Sequence, residues 1–101
     1  MGQLLGAILV AAVALAIVIL VVLTLKDVIA WFKARTTAYH KDAENVAFTI
    51  KEDLKAGKYT IIQGIFNKRT ATFVDGRKVE CDQVDKDLAA AHTNSKLVVY
   101  E

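Results

Sequence analysis

The sequence predicts a single-pass membrane protein, in which an N-terminal transmembrane helix precedes a small cytoplasmic α+β domain. Three observations lead to this fold class. An uncharged apolar run extends from Leu4 to Leu25, all Lys, Arg, Asp and Glu residues follow that run, and helix-like and strand-like patterns succeed each other from Asp42 onward. We therefore expect residues 1–25 to form the membrane helix, 26–41 a juxtamembrane helix or linker, and 42–101 the domain.

The run from Leu4 to Leu25 contains no proline, and its one hydroxyl belongs to Thr24. About 20 apolar residues cross a hydrocarbon core of about 30 Å, and a helix satisfies its own backbone hydrogen bonds there. A buried core helix is the alternative, but in so short a chain it would need a polar face. Basic residues such as Lys26 and Lys33 follow the run and none precedes it. The positive-inside rule therefore predicts a cell-membrane protein with its N-terminus outside and its domain in the cytoplasm.

Small residues recur at four-residue spacing within the first 16 positions. Such spacing lets transmembrane backbones approach closely, although alanine is also common in any apolar segment. The predicted helix-packing residues are Gly2, Gly6, Ala7, Ala11, Ala12 and Ala16. No ionisable residue lies inside the run, so a proton relay or ion path built by this helix alone is not expected.

Aromatic and basic side chains follow the apolar run. Both types are enriched at the level of lipid headgroups. The predicted membrane-interface residues are Trp31, Phe32, Lys33 and Arg35. They would act as an ordinary interfacial anchor or as a docking collar for a partner.

The domain is predicted to begin with an amphipathic helix. Asp42 is a good N-cap, apolar residues such as Val46 and Ile50 keep helical spacing, and Gly57 is typical of a helix C-terminus. Phe48 lies outside this apolar stripe. The period then changes, and the β-branched and aromatic residues from Tyr59 to Phe66 indicate a strand.

Two short strands, Thr70–Val74 and Arg77–Cys81, are expected next. They are joined by Asp75-Gly76, which is a strong hairpin signal. Asp82 would then cap a short helix, with Asp85 at its third position. The chain closes on an apolar strand within Lys96–Tyr100. It is expected to lie between or beside the other strands, and it suits docking by β-augmentation. The predicted partner-docking residues are Leu97, Val98, Val99 and Tyr100.

Residues that could support chemistry are few. His40, His92 and the single cysteine Cys81 could be imagined as a metal site with Asp82 or Asp85, but paired zinc-ligand spacing is absent. A Cys81–His92 nucleophile pair lacks an evident orienting group. The sequence has no glycine-rich phosphate loop, and a net charge of +2 lacks the basic excess typical of nucleic-acid binders. We therefore expect no enzyme activity, cofactor, metal, small-molecule substrate or nucleic-acid partner.

These patterns favour a non-catalytic accessory, anchoring or scaffold subunit, held in the lipid bilayer and docked on a larger membrane complex or on its own copies. A domain of about 60 residues is marginally stable alone and gains from such docking. The alternative is a self-assembling membrane-active protein, such as a pore or a lysis or toxin-like factor. A ligand-binding regulator is a third possibility, although no pocket-forming motif indicates it. Compactness favours a bacterial or phage source.

Overall fold

A mixed β-sheet forms the centre of the computed structural model, which describes residues 2–53 and 57–100. Within those residues the strands are β1 Ile17–Leu23, β2 Asn45–Asp53, β3 Tyr59–Asn67, β4 Thr72–Val84 and β5 Leu97–Tyr100. The α-helices are α1 Gly2–Ala11, α2 Leu25–Lys33, α3 Thr36–His40 and α4 Lys86–Ala91, and a 3₁₀ turn, Ala12–Ala14, follows α1.

The strands lie in the order β1-β4-β3-β2-β5. β1 runs parallel to β4, whereas β4, β3, β2 and β5 pair antiparallel with their neighbours. The turn between β3 and β4 contains Ala71 with a φ of 55°. Asn67 organises this turn, because its side-chain oxygen accepts from the backbone N–H groups of Arg69 and Thr70. The sheet therefore has β1 at one edge and β5 at the other.

Apolar side chains cover both faces of the sheet. On one face, Ile8 of α1 packs with strand residues such as Phe48 and Ile62. On the other face, Val28 of α2 and Leu88 of α4 pack in a second cluster. Burial of such side chains contributes about 1.5–3 kcal/mol each. The result is a helix–sheet–helix arrangement with two hydrophobic cores.

A polar side chain fastens α2 to the sheet. Gln63 of β3 is fully buried, and its amide nitrogen donates to the carbonyl of Val28 at 2.9 Å. Its amide oxygen accepts from Nε of Arg77 at 2.9 Å. A buried amide left without partners costs about 1–3 kcal/mol, so these two bonds favour one position for α2.

The prediction of a single-pass transmembrane helix from Leu4 to Leu25 is wrong. Among the described residues, no helix is long and apolar enough to cross a membrane. The run divides where its residue type changes. Alanine and leucine dominate up to Ala16 and form α1 and the 3₁₀ turn, whereas the β-branched residues from Ile17 onward form β1. β-branched side chains favour the pleated backbone of a strand. The backbone groups of β1 form hydrogen bonds with β4, and not with each other as in a helix.

This correction also removes the basis for the predicted cell-membrane location, with the N-terminus outside and the domain in the cytoplasm. That orientation was inferred from basic residues flanking a membrane helix. Lys33 is instead the last residue of α2, and Lys26 lies in the first turn of the same helix. The supported fold is a small α+β domain with a mixed sheet.

The amphipathic helix predicted from Asp42 to Gly57 is wrong over its described part, because Asn45–Asp53 forms β2. Residues 54–56 lie outside the described residues. β2 is flanked by β3 and β5 and carries buried side chains on both faces, so it lacks the in–out alternation of a half-exposed strand. Gly57 does adopt a left-handed φ of 74°, but the described element before it in the chain is the strand β2.

The hairpin predicted at Asp75-Gly76 is also wrong, since both residues lie inside the continuous strand β4. Gly76 instead pairs with Gly64 of β3. A Cβ added at Gly64 would lie 2.8 Å from the carbonyl oxygen of Asp75 and 2.8 Å from the ring of Phe73. This glycine pair thus provides room for an aromatic ring against the sheet.

Two C-terminal features are close to their predictions. The strand predicted over Tyr59–Phe66 is confirmed as β3, and the last strand is confirmed as β5, which lies beside β2. The N-cap of the last helix is Asp85 and not Asp82, which was predicted. Asp85 caps α4 by accepting from the N–H of Leu88 at 2.9 Å, and the same oxygen accepts from the N–H of Leu25 at 3.1 Å. The carboxylate therefore joins the N-termini of α4 and α2.

Candidate functional site

The edge strand β1 exposes a row of apolar side chains. Its sequence IVILVVL has no charge, and it pairs with β4 on one side. Val18 and Leu20 pack toward the second core, so the alternation of a strand turns Ile17, Ile19 and Val21 toward the face that carries α1. Their exposed fractions are 55%, 79% and 70%. Natural edge strands are usually short or protected by charge, proline or a bulge, and β1 has none of these within Ile17–Leu23.

The opposite edge, β5, is better protected. It has four residues, and Lys96 beside it pairs with Glu52 at 3.2 Å. Of the predicted partner-docking residues, Leu97 is buried in the first core and Tyr100 bonds within the protein, whereas Val98 is half-buried and Val99 is 48% exposed. Docking through β5 stays a prediction.

The predicted helix-packing residues divide into two groups. Ala7, Ala11 and Ala12 contact the protein's own first core. Gly6 and Ala16 are exposed, and Gly2 is the first residue of α1. Only some of the predicted helix-packing residues are therefore accessible to another molecule.

The predicted membrane-interface residues lie on or just after α2 and mostly contact the protein itself. The guanidinium of Arg35 lies 3.9 Å from the centre of the Trp31 ring, and its Nε donates to Asp75 at 2.7 Å. Phe32 packs against the second core. Lys33 remains exposed.

A cleft of about 290 Å³ opens between the α2–α3 segment and the sheet. Ile29 and Phe32 of α2 form one wall, and three sheet residues form the floor: Ala47 of β2, Ile65 of β3 and Tyr100 of β5. Ala47 is opposite Ile65 in one strand pair and opposite Tyr100 in the other. The small alanine between two large side chains explains the open space.

Polar and cationic groups surround the mouth of this cleft. Lys33, Thr36, Tyr39 and His40 line it, and no Asp or Glu belongs to its described lining. Among the described residues, Lys33 forms no ion pair, while the His40 and Tyr39 rings meet edge to face with centroids 5.0 Å apart. The cleft thus combines an apolar floor with a polar rim that carries one ammonium group, that of Lys33.

A chain of hydrogen bonds fixes Tyr100 at the floor. Nδ1 of His92 lies 2.9 Å from the carbonyl oxygen of Ser95, which can only accept, so Nδ1 carries the proton. Burial is the main reason that the pKa of His92 lies below its usual value, which favours the neutral ring. Nε2 then accepts from Thr49 Oγ1 at 2.8 Å, and Thr49 in turn accepts from the Tyr100 hydroxyl at 2.7 Å. Burial raises the pKa of Tyr100.

The residues considered for catalysis are not assembled for it. Cys81 is buried in the second core, and burial together with the charge of Asp82 raises the pKa of its thiol. His92 is engaged with Thr49 and Ser95. No group of three metal-ligating side chains occurs in the part of the chain that the structure describes. The described lining of the cleft offers apolar contacts and the ammonium group of Lys33.

Comparisons of the chain with protein-family models, with characterised proteins and with solved structures find no match.

Sequence reasoning missed the cleft and the His92–Thr49–Tyr100 chain. Its members come from β2, β5 and the segment after α4, and only the sheet order brings them together. One local signal was present. Thr49 follows Phe48 in a β-branched and aromatic stretch, which favours a strand and would have placed Thr49 and Ala47 on one face.

Proposed function

We propose that this chain is a non-catalytic assembly subunit that docks through its β1 edge on a second copy of itself. The observation that carries the proposal is the exposed, uncharged, seven-residue edge strand. Such an edge is a template for pairing with another chain, and leaving it open would invite uncontrolled aggregation. Docking covers both its backbone groups and its apolar side chains.

A second copy suits this edge because β1 is self-complementary. Two antiparallel copies related by a two-fold axis near Leu20 would place Ile19 of one opposite Val21 of the other. No charged residue lies within β1, so this pairing brings no like charges together. Closed two-fold dimers are the commonest form of homo-oligomer. The two sheets would continue as one, and the same axis would bring the two exposed apolar rows side by side.

The test is the mass of the full chain in solution, measured by sedimentation velocity across a range of concentrations. We expect a dimer for the unmodified chain and a shift toward monomer for Ile19→Lys and Val21→Lys. Each substitution places an ammonium group opposite an apolar side chain twice per dimer, which removes an apolar contact and costs the charge part of its hydration. An increase in Kd of at least about tenfold corresponds to about 1.4 kcal/mol.

Val99→Lys on β5 is the matched control, because it puts the same charge on the other edge. It should leave the dimer intact, and circular dichroism should show that all three variants keep their fold. A chain that is monomeric at every concentration would refute the proposal. Dissociation by Val99→Lys with an intact Ile19→Lys dimer would move docking to β5.

The same preparation can be tested for membrane activity. A dimer that leaves dye-loaded lipid vesicles intact supports the docking subunit. Dye release by the unmodified chain that Ile19→Lys abolishes would overturn it in favour of a self-assembling membrane-active protein.

A further inference from the structure

We propose that the cleft beneath α2 and α3 binds a small carboxylic acid with an apolar tail, of the size of a medium-chain fatty acid. This ligand site is separate from the proposed docking edge. The inference rests on the shape of the floor, on the charge at the mouth and on the rigidity of Tyr100.

The floor of the cleft is apolar and cannot close easily. Ala47 contributes a single methyl group between Ile65 and Tyr100. Phe32 lies over the same region, with its ring centre 5.3 Å from that of Tyr100. A volume of about 290 Å³ is at the small end of ligand pockets, which span roughly 300–1,000 Å³. It therefore suits a small apolar group rather than a folded partner.

The Tyr100 ring is prevented from turning into the open space. Its hydroxyl donates to Thr49 at 2.7 Å, and Thr49 is in turn bonded to His92. Turning this ring into the cleft would break that bond, and a broken buried hydrogen bond destabilises the protein. The hydrogen bonds that link Tyr100, Thr49 and His92 thus keep the cleft open, which gives these polar side chains a role beyond packing.

The charge at the mouth selects the sign of the ligand. The ammonium group of Lys33 is exposed at the rim, and the His40 ring lies on the adjoining helix. With no carboxylate in the described lining, an anionic head gains attraction there and a cationic head is repelled. The Thr36 hydroxyl already donates to the carbonyl of Lys33 at 2.9 Å, whereas the Tyr39 hydroxyl can donate a hydrogen bond to a carboxylate oxygen.

Octanoate is the probe, and octylamine is its matched counterpart with the same tail and the opposite charge. Binding to the isotope-labelled full chain is followed by two-dimensional NMR. We expect octanoate to shift the amide signals of residues around Ala47, Ile65 and Tyr100 and to bind about fivefold more tightly than octylamine, because one exposed, partly screened ammonium group attracts the first ligand and repels the second.

Three variants locate the site. Ala47→Leu places a larger side chain in the floor of the cleft and should weaken octanoate binding about tenfold or more. The leucine would occupy the space of the octanoate tail, and a filled apolar space does not accept further methylene groups without strain. Lys33→Gln, at an exposed position that tolerates exchange, should weaken octanoate binding by about two- to fivefold and leave octanol binding unchanged. Lys26→Gln is the control on the same helix, because Lys26 is exposed and lies outside the cleft lining.

Equal binding of octanoate and octylamine would overturn the proposal, as would octanoate shifts centred on Ile19 and Val21. An effect of Lys26→Gln as large as that of Lys33→Gln would also overturn it. If Ala47→Leu does not fold, Lys33→Gln with the octanol comparison still decides the outcome.

Discussion

Thr49 provides the sharpest test of how the buried polar groups are arranged. Its side chain is fully buried, and its hydroxyl contacts His92 Nε2 at 2.8 Å and the Tyr100 hydroxyl at 2.7 Å. Thr49→Val keeps the shape of the side chain but removes both hydrogen bonds. A methyl group also needs about 3.5–4.0 Å from each neighbour, so the two partners must move apart.

The loss can be estimated from these contacts. Two hydrogen bonds at about 0.5–1.5 kcal/mol each give about 1–3 kcal/mol, and the steric conflict favours the upper half of that range. For a domain of this size each kcal/mol lowers Tm by roughly 4–8 °C. Tyr100→Phe removes one of the two bonds and should cost about 1 kcal/mol. Thr49→Ser keeps the hydroxyl, so it should preserve both bonds and lose only about 0.8 kcal/mol for its methyl group.

Urea unfolding followed by circular dichroism measures these free energies. Since Thr49→Val and Tyr100→Phe break the same bond, the double variant should be more stable than the sum of the single effects predicts, by about 1 kcal/mol. Additivity within about 0.3 kcal/mol would contradict the arrangement. Nitrogen NMR of the His92 ring gives an independent check, because a proton found on Nε2 rather than Nδ1 in the neutral ring would refute the proposed donor order.

Three further predictions concern single groups. Gly64→Ala should destabilise the protein by about 1–3 kcal/mol in urea unfolding, because its Cβ would meet the backbone oxygen of Asp75 at 2.8 Å; Gly76→Ala, which meets only the side chains of Phe73 and Leu15, should cost less. The lowered pKa of His92 means that the unfolded chain binds its proton first, near pH 6.5. The stabilisation that the neutral His92 ring provides is therefore complete above about that pH and is lost as the pH falls through the folded pKa. His92→Gln should reduce the difference between the free energies of unfolding measured by denaturation at about pH 5 and pH 7. The Cys81 thiol, whose pKa burial raises, should react with a thiol reagent far more slowly in the native protein than in urea, and equal rates would show that its core opens freely.

The elements that sequence reasoning identified are those whose local signals agree with their surroundings. β3 combines β-branched and aromatic residues between turn residues, and β5 is a short apolar run at a similar boundary. α4 was expected in the correct region, although its cap is Asp85 rather than Asp82. In each case a local preference and the final position in the sheet point to the same structure.

The failures occur where tertiary context decides between two local readings. Val46, Phe48 and Ile50 alternate along one face of β2, yet Val46 and Ile50 also fit a helical stripe. Gly76 is typical of a turn, but it pairs with Gly64 so that the Phe73 ring can lie close. Strand propensity could have placed Ala47 and Thr49 on one face, but it could not reveal the cleft, because the floor depends on Ala47 meeting residues from two other strands.

The sheet order makes the two proposed sites independent of each other. The docking edge is β1, whereas the floor of the cleft lies on β3, β2 and β5, with β4 between. Mutations further apart than about 7–10 Å with no shared partners usually have additive effects. Ile19→Lys should therefore dissociate the dimer and leave octanoate affinity unchanged, while Lys33→Gln should weaken octanoate binding and leave the dimer intact. If octanoate instead shifts the monomer–dimer equilibrium, the two sites are coupled, and by linkage dimerisation must change octanoate affinity by the same factor.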